Sequence, residues 1–140
     1  MRNLAIKVID RLFLVAYGAA SPSEEEWANY LAMVERHGIE RTMQIIVTDG
    51  GEPTRAQRRR LNDLLAGRFV PVAVVSPSAV VRGTVTALSW FNRKIKAFPP
   101  SGLREAIAYL EIPTSRVDLI EKELHKLQAG LRQAAAPGQP

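Results

Sequence analysis

Leu4, Ile6 and Val8 alternate with Ala5 and Lys7, a period of two that predicts a strand with one buried face. After Asp10-Arg11 the run Leu12 to Tyr17 is apolar almost throughout, as a strand covered on both faces would be. The pair reads as an edge strand followed by an interior one. The period then lengthens. Trp27, Tyr30, Leu31 and Val34 share one helical face, opened by a capping box of Ser23 and Glu26 and stopped at Gly38. Met43 to Thr48, centred on Ile45, Ile46 and Val47, is a second interior strand ending in Asp49-Gly50-Gly51. Thr54 and Gln57 match another capping box ahead of Leu61, Leu64 and Leu65, and Gly67 closes that helix. The alternation repeats with a strand from Val70 to Val75 and a Ser76-Pro77-Ser78 cap. A third helix follows, with Val81, Val85 and Leu88 inward, and reaches about Asn92. Ile95 to Phe98 is a last short strand. Pro99-Pro100-Ser101 then starts a helix burying Leu103, Ile107 and Leu110, and Pro113 ends it.

The order is β-β-α-β-α-β-α-β-α. Strands separated by helices need crossover connections, which are right-handed and give a mostly parallel mixed sheet covered by helices, so the expected class is α/β. In the tail, Val117, Ile120, Leu124, Leu127 and Leu131 follow the 3, 4, 3, 4 spacing of a helix seam. A seam this short is marginal as a free coiled coil, which leaves two readings. One is a fifth helix packed on its own domain; the other is a dimer or docking helix. The expected division is a domain over 1–113, an amphipathic helix over 114–133 and a disordered tail over 134–140.

Composition narrows the function classes. A chain of 140 residues that is 46% hydrophobic and 24% charged has the size and apolar content of one folded domain. It has no cysteine, which excludes disulfides, thiolate metal sites and cysteine nucleophiles. The first residues lack the apolar run of a signal peptide, and no stretch approaches the roughly 18 apolar residues of a membrane span. A cytoplasmic protein is expected. The net charge of +5 favours encounters with anionic partners.

The element order, the stretch Ile45-Ile46-Val47-Thr48-Asp49-Gly50-Gly51, the Thr54-capped helix, Val72-Ala73-Val74-Val75-Ser76, Ala87-Leu88-Ser89-Trp90-Phe91 and Ile95-Lys96-Ala97-Phe98 together carry a resemblance. Over about residues 4 to 112 the chain resembles the STAS family of anti-sigma factor antagonists and sulfate-transporter tails, and most closely its SpoIIAA-like branch. The resemblance implies a non-catalytic bacterial signalling module that binds a regulatory protein, of kinase or anti-sigma type. Family members commonly carry Asp-Ser-x-Gly after the third strand, with the serine phosphorylated. Here Asp49 matches that position, Gly50 and Gly51 follow, and the first hydroxyl is Thr54, which becomes the candidate phosphoacceptor.

On physical grounds the same loop precedes a helix N-terminus, where unpaired N–H groups favour an anion. It lacks the spacing of a P-loop or a dinucleotide fingerprint, and no cofactor is expected. Thr54 reads equally as a helix cap with no other role. Arg55, Arg58, Arg59 and Arg60 form the strongest charge feature, read as a solvated face or a surface for an acidic protein. Nucleic acid is not expected, since no helix-turn-helix, zinc-finger or aromatic-interleaved basic motif accompanies them. Trp27, Trp90 and Phe91 read first as core residues, but adjacent Trp90 and Phe91 cannot share one helical face, so the alternative is that one of them is an exposed anchor, with Trp90 the candidate. His37 and His125 lie far apart with no metal-ligand or triad spacing, so neither metal nor catalytic residues are expected. Three readings follow. They are a protein-binding module using Asp49, Gly50, Gly51, Thr54, Arg55, Arg58 and Trp90, a carrier of a nucleotide or lipid at the same loop, and a scaffold that forms a homodimer through the tail helix.

Overall fold

The computed structural model describes residues 2–88 and 94–135. Among them the apolar runs become five strands, β1 (Leu4–Ile9), β2 (Leu12–Tyr17), β3 (Met43–Thr48), β4 (Val72–Val75) and β5 (Ile95–Phe98). Five α-helices accompany them, α1 (Glu24–His37), α2 (Arg55–Leu65), α3 (Ala79–Leu88), α4 (Leu103–Tyr109) and α5 (Val117–Ala135). The class is α/β. The sheet is mixed and mostly parallel, in the order β1-β2-β3-β4-β5. β1 runs antiparallel to β2 through a tight turn in which Asp10 takes φ 56°, a left-handed conformation that aspartate tolerates, and β2 to β5 are parallel.

Alternation along β2 explains the layers. Phe13, Val15 and Tyr17 pack with Trp27, Tyr30 and Val34 of α1 and with Leu61, Leu64 and Leu65 of α2. Leu12, Leu14 and Ala16 point the other way, with Ile45, Val47, Ala73, Val75 and Phe98, beneath α4 and α5. All six residues of β2 are buried, as its unbroken apolar run predicts. β1 carries the exposed Lys7, which reaches the largely covered Glu123 of α5 at 2.9 Å. α3 packs on β5 and β4, and the rule that such crossovers are right-handed assigns it to the face of α1 and α2.

The tail helix shares this core. Ile120, Leu124 and Leu131 are buried, and Val117 and Leu127 are half-buried, against the sheet of the same chain. The seam therefore packs within the domain, with Val117 and Leu127 keeping part of their surface exposed. Ala134 and Ala135, expected to fray, still belong to α5. β4 starts at Val72, two residues later than the apolar run, because Pro71 has no N–H for the ladder and contributes only its carbonyl, which accepts from the Gln44 N–H at 2.9 Å. The expected end of the third helix, with Trp90 and Phe91, and the tail at 136–140 lie outside the described residues. No helix among the described residues is long and apolar enough to cross a membrane.

Candidate functional site

The four parallel strands end on one edge of the sheet, where α1, α2 and α3 begin. Open α/β sheets form their ligand crevice where neighbouring parallel strands send their connections to opposite faces. Here the strand order is sequential, so successive right-handed crossovers stay on one face. The chain changes face only after β5, at the sheet margin. The sequential order thus places no switch point between neighbouring parallel strands.

The loop after β3 is folded on itself. Thr48 is buried, and its hydroxyl donates to the Gly51 carbonyl at 2.6 Å while accepting from the Gly50 N–H at 3.0 Å. The Gly51 N–H donates to the Gly18 carbonyl at 2.9 Å. A Cβ at Gly51 would lie 2.2 Å from the Ala20 carbonyl oxygen, so only glycine fits this approach. Gly50 has φ 121°, a backbone conformation that other residues rarely adopt.

Asp49 does not face solvent as a free acid. Its two carboxylate oxygens accept from Nε and a terminal guanidinium nitrogen of Arg132 in α5, at 2.8 and 2.7 Å. Its side chain keeps 23% of its accessible surface. Arg132 is the site residue that sequence reasoning missed. It follows the seam residue Leu131, and nothing in its neighbourhood signals a partner 83 positions away.

Thr54 caps α2 as its spacing with Gln57 predicts: the Thr54 hydroxyl accepts from the Gln57 N–H at 3.1 Å, and Gln57 Oε1 accepts from the Thr54 N–H at 2.9 Å. Gln57 is only 1% exposed and ties two helix starts together. Its side-chain amide donates to the Pro22 carbonyl at 2.8 Å and to Glu24 at 3.2 Å, and its backbone carbonyl accepts from Trp27 Nε1 at 2.9 Å. Glu24 also pairs with Arg60. Arg58 folds back onto the Pro53 carbonyl at 3.1 Å. Arg55 and Arg59 stand exposed, one turn apart, without an ion pair among the described residues. At the neighbouring helix start, the Ser78 hydroxyl accepts from the Val81 N–H at 3.2 Å, and Arg82 donates to the Ser76 carbonyl at 2.7 Å. Val80 beside it is 79% exposed.

Burial pushes the phenols of Tyr17 and Tyr30 well up, and the Tyr30 hydroxyl donates to Gln44 Oε1 at 2.7 Å. Exposed His37 sets its ring edge-on to Phe13 at 5.2 Å, and His125 lies on the outer surface of α5. Among the described residues no group of three or more His, Asp or Glu is placed to hold a metal ion. Asp49, Gly50, Gly51, Thr54, Arg55 and Arg58 are therefore brought together on one edge, with Asp49 already engaged and Trp90 outside the description. Comparison with models of known families, with curated proteins and with solved structures finds no match for this chain.

Proposed function

We propose that this chain is a non-catalytic regulatory module of the STAS, anti-sigma factor antagonist type, which acts in the cytoplasm by binding another protein. The contact surface is the Asp49–Thr54 loop, the start of α2 and the exposed side of α3. One observation carries the reading. At the edge where α/β proteins place their chemistry, Thr48 and Asp49 are engaged within the chain, while Arg55, Arg59 and Val80 stand outward beside the exposed Glu52 and Arg58, which approach each other only to 4.0 Å. Outward cations and an outward valine suit contact with a protein surface; a reaction needs converging groups.

The mostly parallel mixed sheet covered by helices agrees with the α/β class that the resemblance implies. Thr54 fits a regulatory role in the same reading. A phosphate there would sit at a helix start where the dipole favours negative charge, and would reverse the charge offered to a partner.

The test is affinity capture from native cells after nuclease treatment, comparing wild type with an Arg55→Glu, Arg59→Glu, Val80→Asp variant. All three residues are exposed, so the variant is expected to keep the wild-type melting temperature and to lose a protein that wild type retains. Equal capture by both chains would sink the reading. So would a wild-type chain that retains no protein but carries a nucleotide or lipid mass in native mass spectrometry.

A further inference from the structure

We propose that Arg132 is an intramolecular latch on the candidate binding loop, so that a partner engaging Asp49 does so by displacing the end of α5. The proposal rests on the binding reading for its use, but the contact stands on its own geometry. Leu131 is a buried anchor near the end of α5, and Arg132, Gln133 and Ala134 after it are exposed. The terminal turn is tied to the loop through the two bonds from Arg132 to Asp49. Beneath that carboxylate the loop is already fixed, since the Asp49 N–H donates to the Tyr17 carbonyl at 3.1 Å and the Gly51 N–H to Gly18. The carboxylate is thus the part of Asp49 left to meet α5, and a planar guanidinium covers both of its oxygens.

Such a pair links two events. Whatever takes Asp49 from Arg132 frees the end of α5, and whatever holds that end against the loop weakens binding at Asp49 by the same factor. The loop's occupancy is then read at the tail of the chain.

The experiment is hydrogen exchange on the full chain, alone, for wild type, Arg132→Gln, Asp49→Arg and the Asp49→Arg, Arg132→Asp double variant. Arg132→Gln is expected to speed exchange about two- to fivefold at amides 50–52 and also at 132–135, the range for one partly shielded ion pair. The double variant restores a pair of opposite charge and is expected to return both segments toward the wild-type rates. Unchanged exchange at 50–52 in Arg132→Gln overturns the latch, as does acceleration that the double variant fails to reverse. Where a partner has been captured, Arg132→Gln is expected to hold it about two- to fivefold more tightly, and equal affinity overturns the competition. Intact coupling in a chain that captures no partner overturns the binding reading and leaves the latch in place.

Discussion

Small residues and caps decide how the candidate loop is held, and two of them make predictions of definite sign. Gly51 has carbonyl oxygens within 3 Å of where a Cβ would stand, so Gly51→Ala must push backbone apart and is expected to cost about 2–3 kcal/mol. Gly130, in the body of α5, has nothing within 4 Å, and Gly130→Ala is expected to add about 0.5–1 kcal/mol. Urea midpoints moving in opposite directions would check both, and a Gly51→Ala chain as stable as wild type would contradict the close approach. Glu26 ties β1 to α1. Burial pushes its carboxyl up, but N–H groups of Ser23, Asn3 and Leu4, at 2.9, 3.0 and 3.0 Å, outweigh that and hold it below the ordinary value of 4.5. A depressed carboxyl stabilises the fold above the ordinary carboxylate range, and that contribution is lost as pH falls through the folded-state value. Glu26→Gln is therefore expected to be less stable by about 1–2 kcal/mol at pH 7, with the gap closing toward pH 3. A gap independent of pH would show that the carboxylate charge plays no part. At this scale the caps were legible, because Ser23 with Glu26 and Thr54 with Gln57 are local patterns. The burial of Gln57 and the Asp49–Arg132 pair were not, because each depends on a segment distant in sequence.

Elements were legible wherever the period was clean. β1 lies at an edge and β2, unbroken in its apolar run, lies inside, but β1 packs on both faces, with Leu4, Ile6 and Val8 on one side and Ala5 and Ile9 on the other. The tail shows the limit of such reading. The spacing of Val117, Ile120, Leu124, Leu127 and Leu131 says that one face of α5 is apolar, but any apolar surface, on this chain or another, would satisfy it. The sheet face formed by Leu12, Leu14 and Ala16 is the surface that meets it. α5 is accordingly a core element. Leu124→Ala is expected to cost about 2–5 kcal/mol, and removal of the chain after Pro113 to abolish cooperative unfolding, followed by circular dichroism in urea. A truncated chain that melts like wild type would refute the placement of α5 in the core.

For the whole molecule, the arrangement of faces matters more than any single residue. One side of the sheet is sealed by α4 and α5, and the other carries α1 and α2, with exposed Arg55 and Arg59, neither in an ion pair among the described residues, and with Val80 exposed at the start of α3. The fold class followed from the order of elements, whereas the site did not follow from motifs, since its loop carries no motif that specifies a chemistry. The central claim is that the Asp49–Thr54 loop with the starts of α2 and α3 is the contact surface for another protein. Its most direct test is a hydrogen-exchange footprint of the chain bound to its captured partner, compared with the chain alone. The account predicts slowed exchange at amides 49–60 and 79–85, with α4 and the middle of α5 unchanged. Protection confined to α4, α5 or β1 would contradict it.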